Sequence, residues 1–372
     1  MLSRFDEYCI HQTPETIRQP ATSDPNTYDR WWFSGFRGDG SLYFAAAMAR
    51  YPNRFVFDGA FTVAVDGAQY SFFGSRLAPD DPAETRIGPY ELDVLAPMQT
   101  IRLVLGPNDS GIEADLTFRA RTAPVEEDRA IRRRDGMIHQ DTTRFTQFGR
   151  WEGWLSVDGA VVDVDLATTF GTRDRSWGIR SVGEPMGGRP GTGTGVFWNW
   201  LPMHFEDRCL HAWRFDDPDG RPLQHECLVV PTRPMDEPLP MNDPAVEHLA
   251  SWSHDYRIAP GCRYIDGGEL TLVHRDGRRS TLHIGQPKAR AWPTGIGYMH
   301  PTWGHGVWHG ELAFGHERWK AADVDVSRGQ YQLVHGIADV ELDGQPGVAI
   351  LEQTCFGPYE PYGFVGATRV SR

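Results

Sequence analysis

Nine Asp-Gly dipeptides punctuate this chain of 372 residues, the first at Asp39-Gly40 and the last at Asp343-Gly344. A two-residue type I′ turn needs positive φ at both central positions, and its twist matches that of two paired strands. Asp-Gly between alternating apolar residues is therefore a strong hairpin signal. Four cases are clean. Residues 61–65 turn at Asp66-Gly67 into 68–72, and residues 155–157 turn at Asp158-Gly159 into 161–166. Residues 270–274 turn near Asp276-Gly277 into 280–284, and residues 337–342 turn at Asp343-Gly344 into 347–351. Long helical periodicity is scarce: residues 42–49 are ambiguous because of their alanines, and residues 245–250 read as a helical turn or two at most. The fold class that follows is all-β, built from antiparallel meanders closed into sandwiches or barrels.

The length exceeds one ordinary core and suggests two domains. A weak internal echo agrees: Trp32-Phe33-Ser34-Gly35-Phe36 and the strand after it are matched by Trp198-Asn199-Trp200 and the strand after that. The expected division is an arm over residues 1–30, broken by Pro14, Pro20 and Pro25, a first β domain over 31–170, a linker over 171–195 and a second β domain over 196–372. A net charge of −13 argues against a nucleic-acid groove, which needs clustered Lys and Arg. The one basic run, residues 129–134, follows Glu126, Glu127 and Asp128 and reads as a solvated loop. The amino terminus has no apolar core of a signal peptide, and the longest nearly apolar run, residues 42–49, is too short to span a bilayer. Five cysteines, an odd number without a Cys-x-x-Cys pair, indicate neither a disulfide framework nor a zinc knuckle. A cytoplasmic protein is expected, with homo-oligomerisation left open.

The stretch 169–207 holds the densest chemistry. If it is extended, Arg173, Arg175 and Trp177 share one face, where guanidinium can stack on indole, while Asp174 and Ser176 share the other. Asp174 is the first catalytic candidate. Facing an apolar pocket, its pKa would rise and make it a general acid near neutral pH; beside arginines it would stay ionised and clamp the domain junction, for instance through Arg180. The second constellation lies at residues 295–311, where Tyr298, His300, His305 and His309 are interleaved with Trp303 and Trp308. Histidine titrates near neutrality, so an aromatic-lined loop with three of them suits a general-base site, and a bland set of histidines hydrogen-bonded in a glycine-rich loop fits equally. For a metal, His305 and His309 lack a helix to align them, and only His309 with Glu311 on a strand would offer two ligands; no metal is assigned. Trp198 and Trp200 form a further aromatic wall carrying His204, and Trp32 lines the equivalent wall in the first half. Gly191-Thr-Gly-Thr-Gly195 lacks the Lys of a phosphate loop, and there is no Gly-x-Ser-x-Gly elbow, so neither nucleotide nor covalent serine chemistry is indicated.

The Trp-Phe-Ser start at residue 32, the stretch 144–154 (RFTQFGRWEGW), the Arg-Asp-Arg-Ser-Trp-Gly run at 173–178 and the Phe-Trp-Asn-Trp strand at 197–200 together resemble the two-domain lipocalin-like superfamily. That superfamily holds carotenoid 1,2-hydratases, AttH-type proteins and fungal lipocalin-like Diels–Alderases. The likeness covers most of residues 31–372 and is best over 140–212. It implies two tandem β-barrel-like domains around an apolar pocket near their junction, no organic cofactor, and polyene, terpenoid or polyketide ligands.

Three functions are open to such a chain. The first is a cofactor-independent lyase, hydratase, isomerase or cyclase acting on a hydrophobic small molecule. Its catalytic set is Asp174, Tyr298, His300, His305 and His309, and its binding set is Trp32, Arg173, Arg175, Trp177, Trp198, Trp200, His204 and Trp303. The second is a non-catalytic carrier of such ligands. The third is carbohydrate processing, which needs two carboxylates facing each other across a cleft.

Overall fold

In a computed structural model, residues 3–134, 136–181, 195–366 and 369–370 are described. All long elements are strands, in two curled antiparallel sheets that form a nearly closed barrel and a half-barrel. In the first sheet, Thr27–Arg37, Leu42–Tyr51, Val56–Val65 and Ala68–Leu77 make a meander. Thr27–Arg37 also pairs with Thr169–Arg180, which pairs in turn with the 21-residue strand Met137–Val157. The second sheet is centred on Val196–His204, flanked by Arg208–Asp216 and Gln345–Phe356, with Leu333–Leu342 beyond.

All four clean hairpins are present, and three of their turns have the expected positive φ at both positions: Asp66 and Gly67 at 50° and 72°, Asp158 and Gly159 at 50° and 81°, Asp343 and Gly344 at 53° and 79°. Two other Asp-Gly pairs, at 58–59 and 266–267, lie within strands. Residues 42–49, ambiguous in sequence, belong to Leu42–Tyr51. Its even-numbered side chains Leu42, Phe44, Ala46 and Met48 enter the core of the first sheet, and its odd-numbered Tyr43, Ala45 and Ala47 pack against the second sheet. Burial on both faces erases the alternation a half-exposed strand would show. Close packing is strict here: a Cβ on Gly35 would lie 2.0 Å from Cζ of Phe44.

Four segments depart from what the sequence led one to expect. Residues 171–180, expected in a linker, are strand in the middle of the first sheet, and 182–194, with the Gly191-Thr-Gly-Thr run, lie outside the described residues. Residues 129–134, expected as a solvated loop, belong to Val125–Arg134, which pairs with Met137–Val157. Leu312–Lys320, far along the second half, crosses over to pair with Ala68–Leu77 and covers the edge of the first sheet. Residues 245–250 contain no helix; Glu247–His248 is a short strand. The two sheets meet across their outer faces, where Trp32, Phe36 and Tyr43 pack against Trp200, Trp213, Ile337 and Ile350.

Candidate active site

Between the sheets lies a pocket of about 250 Å³. Its apolar walls are Trp32, Trp198, Trp200, Phe215 and Leu333, and its polar lining is Arg132, Gln140, Arg144, Asp174, Arg180 and Glu352, with Tyr298 at the loop side. A larger hollow of about 890 Å³ under the amino-terminal arm, lined by Thr13, Arg18 and Phe55 among others, brings none of these aromatic and acidic groups together.

Strand register explains the convergence. Asp174 stands opposite Trp32 on one side and Thr146 on the other, so all three point to the same face. From the second sheet, Trp200 is paired with Glu352, and Trp198 with Phe215 and Thr354. Trp32 meets Trp200 edge to face at 5.4 Å. Burial raises the Asp174 carboxyl to about 6, against the pull of Arg144 and Arg30. The value falls where a general acid works near neutral pH.

Two buried networks hold this lining. Behind Arg144, Glu127 accepts hydrogen bonds from Trp200 Nε1 (3.1 Å), Thr146 Oγ1 (2.7 Å) and His211 Nε2 (3.0 Å), and pairs with Arg144 at 3.2 Å. Burial alone would raise Glu127, but Arg144 and His211 outweigh it and hold the carboxyl at about 2. Behind Glu352, His335 lies 3.0 Å away through Nε2, and its Nδ1 lies 2.9 Å from the Tyr43 hydroxyl. Tyr43 donates to Nδ1, and Glu352 accepts its hydrogen bond from Trp198 Nε1 at 3.0 Å. Glu352 is thereby oriented at the pocket wall facing the first sheet.

The histidine-bearing loop reaches the pocket through Met299 and through Tyr298. Its ring lies 4.6 Å from His305, under the Arg30 guanidinium at 4.6 Å, with the Arg180 guanidinium at 5.9 Å. His305 sits in a second cavity of about 20 Å³, lined also by Arg30, Asp58, Trp303 and His309. That is room for about one water molecule. His305 donates from Nε2 to the Ile296 carbonyl (2.8 Å) and accepts from Arg30 at Nδ1 (3.0 Å); burial, then Arg30 and Arg180, push its pKa well below the usual value. Burial raises Asp58 to about 7, although the Gly306 amide donates to it at 2.6 Å and Arg30 is near. His300 accepts the Trp303 amide at Nδ1 (2.8 Å) and lies 3.2 Å from Glu317 through Nε2, which braces the loop. His309 stacks on Trp303 at 4.0 Å. Among the described residues no group of three or more His, Cys, Asp and Glu is placed to hold a metal.

The pocket thus gathers Trp32, Asp174, Trp198, Trp200 and Tyr298 from the sequence-derived set. Trp303, His305 and His309 line the small neighbouring cavity instead. Arg173, Arg175 and Trp177 occupy the opposite face of their strand, as alternation requires. Arg173 is buried and donates to Gln147, Arg175 stacks on Trp31 at 3.8 Å and pairs with Asp29, and Trp177 is 42% exposed. The expected guanidinium–indole stack therefore forms with Trp31 from the neighbouring strand, not with Trp177. His204 is buried among Phe36, Phe148 and Phe170, hydrogen-bonded to Thr172 at 3.1 Å, and burial pushes its pKa well down. Sequence reasoning did not single out Glu127, Arg132, Arg144, His335 or Glu352, whose proximity depends on pairings across distant strands.

Two curled sheets packed outer face to outer face define a lipocalin-like fold. The chain belongs to a family of unknown function, DUF8625, whose model matches residues 2–365. Among solved structures it is similar to an AttH-like protein from Nitrosomonas europaea, at 13% identity over 88% of this chain and 92% of that one, with a TM-score of 0.52. It is also similar to kievitone hydratase from Nectria haematococca (13% identity, 89% and 90% of the chains, TM-score 0.46) and to CghA with Sch210972 (13% identity, 89% and 88%, TM-score 0.49). At such identities the likeness concerns the fold. No functionally curated protein matches the sequence.

Proposed function

We propose that this protein is a cofactor-independent acid–base enzyme acting on a hydrophobic small molecule in the inter-sheet pocket. The observation that carries the reading is Asp174, a carboxyl raised to about 6 by burial on the floor of an indole-lined pocket. At pH 7 about a tenth of the molecules hold this proton, and every proton given is readily replaced. Asp174 delivers it to an alkene carbon or to a leaving hydroxyl. Trp32, Trp198 and Trp200 present ring faces and edges to the cationic carbon that results, and their bulk keeps bulk water away. The cation is discharged either by loss of a neighbouring proton to Glu352, held by Trp198 and flanked by His335, or by addition of one water whose proton passes to the same carboxylate. The first outcome is elimination or isomerisation and the second hydration. Tyr298, fixed by His305 and Arg30, closes the loop side of the pocket.

The test is turnover of a panel of terpenoid and aryl alkenes and alcohols, followed by mass spectrometry, for the wild type, Asp174→Asn and Glu352→Gln. Loss of a proton-transfer group lowers turnover by about 10²–10⁴-fold with the fold intact. Near-normal turnover in both variants on a substrate that the wild type converts sinks the proposal.

A further inference from the structure

At one end of the pocket, three cross-strand neighbours form a row. Gln140 on Met137–Val157 is opposite Arg132 on one side and opposite Arg180 on the other, so two guanidinium groups flank an amide on the same sheet face. All three line the pocket. Of the other charged groups there, Arg144 pairs with Glu127, and Glu352 lies 3.0 Å from His335 and accepts from Trp198. Arg132 and Arg180 make no ion pair with a carboxylate among the described residues. They are held by rings instead, Arg132 over Phe215 at 3.3 Å and Arg180 over Tyr28 at 4.7 Å. Ring stacking occupies the face of a guanidinium and leaves its N–H edge free, and that edge matches a carboxylate or phosphate fork.

The two arginines differ in one respect. Arg180 helps to hold Asp174 down, so an acid is within its field. For Arg132 no acid among the described residues offsets the cost of burial: burial and the repulsion of Arg144 lower it to about 10, which leaves it charged at neutral pH. A half-buried cation without a counter-ion at the end of an apolar slot is poorly solvated until an anion arrives. The Arg132–Gln140–Arg180 row and the Asp174–Thr146 row are six residues apart on the same strands, about 20 Å at the backbone. Long arginine side chains shorten that span without closing it.

From this row we infer that the ligand is an elongated amphiphile with a single anionic head. The head, a carboxylate or phosphate ester, sits against Arg132, Gln140 and Arg180, and the hydrocarbon body lies along Trp198, Trp200 and Trp32 toward Asp174. The inference names the substrate class for the acid–base reading and rests on it for the position of the reacting carbon. The head-group preference itself depends only on the row.

Binding of a matched C15 set, farnesoate, farnesyl phosphate and farnesol, is read by tryptophan quenching at pH 8. The wild type is expected to bind at least one anion about 10–100-fold tighter than farnesol, and the preferred anion separates the carboxylate from the phosphate source. Arg132→Gln and the double variant Arg132→Gln/Arg180→Gln should lose most of that preference while farnesol affinity stays within about threefold, which also shows that the pocket is folded. Arg132→Lys should keep part of it. Asp174→Asn should keep the preference whether or not turnover falls, so failure of the acid–base reading is distinguishable from failure of this one. Equal affinity for farnesol and both anions, or a preference untouched in the double variant, overturns the inference.

Discussion

Asp174→Asn changes the pH dependence of stability in a way that needs no substrate to measure. The Asp174 carboxyl stands at about 6 in the folded protein, against an ordinary 3.8 that describes the unfolded chain. Two units of difference correspond to about 3 kcal/mol, and solvent at the pocket mouth trims this to about 2–3 kcal/mol. The folded state keeps a proton that the unfolded state releases between pH 4 and 6, so this group makes stability fall as pH rises through that window. Below pH 4 both states hold the proton, and above pH 7 neither does. Asparagine has no such titration. The unfolding free energy of Asp174→Asn minus that of the wild type should therefore grow by about 2–3 kcal/mol between pH 4 and pH 8. Urea unfolding followed by tryptophan fluorescence at five pH values gives the difference, in which groups that titrate alike in both proteins cancel. Glu127, the other carboxylate whose charge acts on Asp174, is held at about 2 and stays outside the window. A difference that is flat, or that shrinks as pH rises, would falsify the assignment and make Asp174 an ionised clamp.

Glu127→Gln removes the charge that Arg144 and His211 share with the hydrogen bonds of Trp200 and Thr146, and should cost about 3–5 kcal/mol in urea unfolding, since it leaves a buried cation without its partner; a loss under 1 kcal/mol would mean that solvent already screens the pair. Of the five thiols, Cys9 is exposed, Cys262 half-buried and Cys209, Cys227 and Cys355 buried, with burial raising Cys209 to about 12. A thiol reagent at pH 8 should modify one cysteine rapidly, a second slowly and the remaining three only after denaturant, and three fast thiols would contradict the packing of both sheets.

The fold was legible wherever a turn has strict backbone requirements. Asp66-Gly67, Asp158-Gly159 and Asp343-Gly344 sit at positive φ because the twist of the hairpin demands it, and the alternating residues around them fix which strands pair. Legibility failed where a strand is covered on both faces. Leu42–Tyr51 carries apolar residues at odd and even positions because one face fills the core of the first sheet and the other meets the second sheet, and no local pattern distinguishes that from a buried helix. It failed again for Val125–Arg134, whose charges look solvated in sequence. There Glu127 is buried by a partner 17 residues away and by others 73 and 84 residues away.

The site divides along the same physical line. Asp174 was recognisable because alternation alone puts it on the face opposite Arg173 and Arg175, and two flanking cations that point away cannot neutralise a carboxylate facing the other sheet. The acid that faces it was not recognisable. Glu352 enters the pocket because Gln345–Phe356 pairs with Val196–His204 in a register that sets it beside Trp200, where Trp198 Nε1 donates to it and a histidine on the next strand lies 3.0 Å away. Nothing within ten residues of Glu352 encodes that. The histidine-bearing loop shows the converse: a dense local cluster drew attention, yet His300 and His305 use their ring nitrogens on backbone amides, a carbonyl, a glutamate and an arginine, which fixes Tyr298 at the pocket. A cluster in sequence marks a stiff loop as readily as a reacting centre, and only the pairing of strands decides which side chains face one another.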